Sequence, residues 1–252
     1  MDADQKEESG RARNNTGNRS EEQEMPEQSQ DRVRERIDTL TRAIGTSNDV
    51  DERTQSYIER AHCHQLVGDD VNSVSDYLTA LETAKNKSDR VHIRSMIALA
   101  LMRKDEKEQA LFWAMGAVDE DPSNAEGHFT VGLICECCDF LNLAVEYLQR
   151  ALEYQPDHWQ AMCVLGLCLR KKGLLEESVE TLSKYIANNP EDPIGLYNLA
   201  LSLQLFAKSE SQLQQAKQFY EKALQFNPSA GRRAMIERRL RDISGLSRAG
   251  PD

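Results

Sequence analysis

The sequence predicts an all-α solenoid, a row of helix–turn–helix units stacked side by side, and three observations predict it. First, small residues recur at a fixed interval: Ala98, Gly132, Gly166 and Ala200 follow one another at steps of 34 residues. A constant period of this length is the mark of stacked supersecondary units. Second, Pro122, Pro156 and Pro190 keep the same 34-residue step, as do Ala110, Ala144 and Ser178, and Ala117 with Ala151. Third, the composition suits thin helical layers better than a deep core, because 29% of the 252 residues are charged and 6% are aromatic.

Each unit divides into a first helix, a turn and a second helix. The turns hold Asp105, Asp139 and Gly173, again 34 apart. Proline closes the unit because its ring and missing N–H cannot continue the second helix. Upstream, Ala61 to Ala98, Ser73 to Ala110 and Ala80 to Ala117 are 37 residues each, which assigns three extra residues to the polar turn at 85–89. Downstream, Pro190 to Pro228 is 38 residues, with four extra ones at 208–212. Polar turns are where a helical repeat tolerates insertions. First helices are expected near 54–67, 91–104, 125–138, 159–172 and 193–206, and second helices near 70–84, 107–120, 141–154, 175–188 and 212–226.

The flanks read differently. Val33, Ile37, Leu40 and Ile44 stand at helical spacing, which gives residues 30–53 a capping helix and a linker. Residues 229–252 read as a basic capping helix and short tail, with Ile236, Leu240 and Ile243 on one face. Open stacks need such caps, since a terminal unit otherwise exposes its packing face. Residues 1–29 are rich in Glu, Gln, Ser, Asn and Gly with almost nothing to bury, and read as a disordered tail.

Each unit resembles a tetratricopeptide repeat, and the clearest copy is HFTVGLICECCDFLNLAVEYLQRALEYQP, residues 128–156. There Gly132 is the small residue of the first helix, Ala144 and Ala151 those of the second, and Pro156 the closing residue. The resemblance runs over five units, 54–90, 91–124, 125–158, 159–192 and 193–228. It implies a right-handed α-solenoid whose first helices line a concave face that holds extended peptides or short helices. Two departures stand out: the first unit lacks its closing proline, and Tyr185 replaces the usual alanine, which predicts looser packing there.

The concave register is unusual for this family. Leu99, Leu133, Leu167 and Leu201 each follow the small residue of their first helix, at a position often polar in tetratricopeptide proteins. Phe129 and Tyr197 precede two of these leucines by four residues, beside them on a helix, and Ile58, Met102 and Leu205 extend the row by the same geometry. Two readings are open. The leucines either form an apolar ladder that receives a partner or lie between neighbouring first helices and hold the stack together. The family's carboxylate-clamp mode, which grips a chaperone's C-terminal tail, is not expected, because its cationic positions hold Ile58, His62, Ser95, Leu99, Phe129 and Leu133. From Glu108 through Gln149 there are eight acids and no Lys or Arg. By the family fit Glu126 and Glu136 border the groove, a field suited to an apolar partner with basic flanks.

Other chemistries find little purchase. The net charge of −11 disfavours nucleic acid, whose binding needs a basic surface. The alternative is an anionic surface, RNA or membrane, met by the C-terminal helix, which carries six arginines against three acids over 229–252. Five of the six cysteines fall between 135 and 168, yet their spacing does not reproduce zinc knuckles, so they read as small packed thiols and no metal is expected. His62 and His64 point in different directions on a helix. No phosphate loop, HExxH helix or nucleophile elbow occurs, so neither catalysis nor a cofactor is expected. Without a signal peptide or an apolar run long enough to span a bilayer, the expected location is cytoplasmic.

Overall fold

A computed structural model describes residues 27–246. Among the described residues there are twelve helices and no strands: α1 (Glu27–Thr46), α2 (Val50–Leu66), α3 (Asp70–Thr83), α4 (Lys87–Arg103), α5 (Lys107–Glu120), α6 (Ala125–Cys137), α7 (Leu141–Tyr154), α8 (Trp159–Lys171), α9 (Leu175–Asn188), α10 (Pro193–Phe206), α11 (Glu210–Gln225) and α12 (Ala230–Leu246). Helices α2 to α11 pair in order as five hairpins, and the second helix of each packs on the first helix of the next. Successive first helices α4, α6, α8 and α10 also touch one another, whereas second helices do so far less. The stack therefore curves with its first helices inside. The fold is an all-α solenoid of helical repeats. Of the tail expected at 1–29, residues 1–26 lie outside the described residues, while α1 already begins at Glu27.

The turn inside each of the first four hairpins is built alike. Gly68, Asp105, Asp139 and Gly173 take positive φ values of 77°, 62°, 62° and 79°. The amides of these residues and of the next ones fold back on the last helical carbonyls, as in Asp139 N–H to Glu136 O at 3.0 Å and Phe140 N–H to Cys135 O at 2.8 Å. That closure satisfies carbonyls a helix end would otherwise orphan. The turns between hairpins hold the prolines, followed by caps: the Asn124 side chain accepts from Gly127 N–H at 3.1 Å, and Asp192 from Gly195 N–H at 2.7 Å. Helices α2 and α4 start earlier than the repeat register alone suggests. Asp49 and Asn86 cap them, so the three extra residues expected in the turn at 85–89 lengthen α4 to 17 residues instead.

The recurring small residues set how closely the helices approach. A Cβ on Gly132 would lie 2.6 Å from Leu148 Cγ, and one on Gly166 would lie 2.4 Å from Leu182 Cγ. Tyr185 does not loosen the stack as expected. Its ring fills the space opposite Gly195, where a Cβ would come within 2.2 Å of Tyr185 Cε1, and its hydroxyl donates to Asp192 Oδ2 at 2.7 Å. The bulk added on one helix is removed from the next.

The apolar core falls into two clusters, one running from Ile58 to Leu169 and the other from Leu182 to Ile243. Between them a buried hydroxyl replaces a methyl. Ser178, in the register of Ala110 and Ala144, donates to Gly166 O at 2.7 Å, which leaves Ser202 to donate to Ser178 Oγ at 2.9 Å. Inside the first two hairpins, ion pairs tie each second helix to its first. The Arg60 guanidinium grips both Asp76 oxygens at 2.7 and 2.8 Å, and Arg90 Nε donates to Glu120 at 2.8 Å. At the ends, α1 buries Leu40 against α2, and α12 buries Ile236 and Ile243.

Candidate partner-binding groove

Along α6, the residues Glu126, Phe129, Leu133 and Glu136 form one stripe by helical spacing. Both ends of that stripe meet α8. At one end His158 caps α8: its Nδ1 accepts the Ala161 amide at 3.3 Å, its Nε2–H donates to Glu126 Oε2 at 3.3 Å, and its ring centre lies 4.8 Å from that of Phe129. These two bonds together describe a neutral imidazole with its proton on Nε2. At the other end Lys171 Nζ reaches Glu136 Oε1 at 2.5 Å. Leu133 lies between these contacts, on the inner seam of α6 and α8.

The expected site residues divide sharply by burial. Leu99, Leu133, Leu167 and Met102 are half-buried, with part of each side chain facing solvent. Ile58 and Phe129 retain 8% exposure, and Tyr197 and Leu201 retain 5%. These four form walls and underlayer and have little surface left to cover. The row thus has an open middle in α4, α6 and α8 and a closed C-terminal end in α10. There Tyr197 and Leu201 join the core cluster that contains Ile236 and Ile243 of α12, and the Arg232 guanidinium lies 5.7 Å from the centre of the Tyr197 ring. Leu205 lies outside the closed end, exposed in the last turn of α10.

The N-terminal rung of the same register is His62, one residue after Ala61. Its ring stands 5.8 Å from that of His92 and 5.7 Å from that of Tyr77. Burial lowers the affinity of His62 for a proton, and the neighbouring His92 lowers it further. Of the two acidic border residues, Glu136 is already engaged by Lys171, while Glu126 remains at the groove edge beside His158. Sequence reading missed the Lys171 and His158 contacts. The signal was available as a step of one repeat plus or minus a residue or two: 35 residues from Glu136 to Lys171, and 32 from Glu126 to His158.

Cys135 and Cys168 are buried in the first cluster, Cys63, Cys138 and Cys163 are half-buried, and Cys137 is exposed. Burial pushes the Cys135 thiol up to about 11 and the Cys168 thiol up to about 12, so both are protonated at neutral pH and poor metal ligands. Among the described residues no three His, Cys, Asp or Glu side chains are grouped to hold a metal ion, and no helix is long and apolar enough to cross a membrane.

The profile of the tetratricopeptide repeat matches residues 141–193, from α7 into α10. No curated protein matches the chain by sequence. Several solved structures share the fold. The crystal structure of MamA is 20% identical and aligns over 69% of this chain and 92% of its own, with a TM-score of 0.54. YrrB, a TPR protein with an unusual peptide-binding site, is also 20% identical, over 80% of this chain and 99% of its own, at 0.54. In the APC/C hetero-tetramer Cut9–Hcn1, a chain 15% identical aligns over 75% of this one and 36% of its own, with a TM-score of 0.65.

Proposed function

We propose that this chain, whose residues 141–193 match the tetratricopeptide-repeat profile, is a non-catalytic interaction scaffold whose inner face receives an apolar segment of a partner protein over Leu99, Leu133 and Leu167. The observation that carries this reading is the half-burial of three leucines in one register, supported from below by buried side chains such as Phe129. Scattered surface leucines need no explanation, but a row of them in a preformed groove is an interaction patch. An amphipathic helix or extended apolar peptide matches such a trough. YrrB, of the same fold, has a peptide-binding site, which supports a peptide as the bound form. The preference for basic flanks rests on Glu126, since the Glu136 carboxylate is already paired.

The test is capture of binding proteins by the wild type and by Leu133→Asp/Leu167→Asp side by side, with circular dichroism on both. The proteins held by the wild type are expected to fall at least about tenfold on the variant while helicity is kept. A folded variant that retains the same proteins contradicts the groove. A variant that unfolds shows that the leucines hold the stack together.

A further inference from the structure

The fifth hairpin breaks the turn pattern of the other four. Helix α10 ends at Phe206, and Ala207 is extended, with φ −59° and ψ 126°, so no left-handed residue folds the amides back on the helix. The added residues make up the turn before α11 and its first turn, which Ser209 caps. The Lys208 amide donates to Gln212 Oε1 at 2.7 Å, and Lys208 Nζ lies 5.4 Å from the centre of the Phe206 ring. Between this turn and the Gly173 turn of the preceding hairpin lies a notch of ≈ 640 Å³. Concavities of roughly this size, 300–1,000 Å³, are typical of binding sites. Leu174, Leu205 and Phe206 give it apolar walls, with Leu205 exposed by 52%, Glu176, Glu177 and Glu180 of α9 form its acidic side, and Lys208 also lines it. Lys184 engages Glu180 at 2.7 Å, whereas Glu176 and Glu177 have no ion-pair partner among the described residues.

The same chain carries the complementary surface. Helix α12 turns Ile236 and Ile243 inward, and its outer side presents Met235, exposed by 52%, followed by exposed Arg238 and Arg241 at successive steps of three. Neither arginine has an ion-pair partner among the described residues. An unbranched apolar anchor beside two guanidinium groups matches an apolar notch beside two unpaired carboxylates, both in shape class and in sign.

We propose that the notch between the fourth and fifth intra-hairpin turns receives α12 of a second copy of this chain, with Met235 against Leu174, Leu205 and Phe206 and with Arg238 and Arg241 facing Glu176 and Glu177. A one-way contact of notch and helix builds rows or rings, and a reciprocal exchange of the two closes a two-fold dimer. The net charge of −11 opposes association at long range. At physiological salt that repulsion is screened beyond about 8 Å while the contact pairs persist.

Sedimentation of the full chain across concentration, at low and physiological ionic strength, tests this through a charge swap. The wild type is expected to gain mass with concentration. Glu176→Arg/Glu177→Arg and Arg238→Glu/Arg241→Glu are each expected to weaken association at least ~10-fold, and an equimolar mixture of the two variants is expected to restore it, since opposite charges then face each other again. Met235→Ser weakens it without altering charge. Circular dichroism confirms that each variant is folded, and the mixing arm is independent of any small loss of stability. A wild type that stays monomeric overturns the proposal, as does association indifferent to both swaps. A monomeric wild type whose Arg238→Glu/Arg241→Glu variant loses binding to RNA or to phosphatidylserine vesicles also overturns it and assigns α12 to an anionic surface.

Discussion

Leu167 and Leu201 occupy the same register of neighbouring first helices, yet one is half-buried and the other retains 5% of its exposure. Residue type does not distinguish them; their surroundings do. Leu167 lies in α8, only part of which is buried, while Leu201 lies in α10, whose residues from Gly195 to Leu203 are all buried. Beyond α10 stands α12, which belongs to the same core cluster and sets Arg232 over Tyr197. The comparison teaches that a register read from a repeat names equivalent positions without making their exposure equivalent. The half-buried part of the row, Leu99, Leu133 and Leu167, is therefore shorter than the repeat array.

The largest expected effect separates the two leucines directly. Leu201→Asp places a carboxylate in a buried apolar cluster, at a cost of about 3–5 kcal/mol. In a stack held by nearest-neighbour contacts, the loss is expected to melt the last hairpins first and to split the urea transition monitored by circular dichroism. Leu167→Asp removes a half-buried side chain and is expected to cost about 1 kcal/mol with a single transition kept. Equal losses at the two sites would erase the distinction between open middle and closed end.

A smaller effect marks the other end of the row, where the rung is His62. Its proton affinity is lowered from the ordinary value of 6.5 by burial and by His92. The unfolded chain therefore binds a proton there more readily than the folded one. The contribution to stability is complete above pH 6.5, declines as pH falls through 6.5, and levels off below the depressed folded value. Melting temperature measured from pH 8 down to pH 5 (about three units around the His range) is expected to decline more steeply for the wild type than for His62→Gln. Identical slopes would show that this rung is solvated like an ordinary surface histidine.

Much of the architecture was legible in the residues because the repeat period is physical. Gly132 and Gly166 recur where Leu148 and Leu182 leave no room for a Cβ, and Pro122 and Pro156 recur where second helices stop. Tyr185 was misleading when taken alone, since its compensation is Gly195, ten residues later on another helix. The extra residues before α4 were placed in a turn because they are polar, but Asn86 caps them into the helix. The site was less legible. Periodicity named Leu99, Leu133, Leu167 and Leu201 together, whereas the burial of Leu201 in the second cluster sets it apart. Glu136 read as a free border charge because Lys171 lies one repeat and one residue away, outside any local pattern.

On the proposed function, the inner seam of α4, α6 and α8 is the surface that a partner covers. Site-specific photocrosslinking tests it most directly, with a benzophenone amino acid placed in turn at Leu133, Leu167 and the outward, 70%-exposed Phe112. Irradiation is expected to join the same partner to positions 133 and 167 and to leave position 112 unjoined. Adducts formed at 112 but absent from both leucine positions would contradict the account.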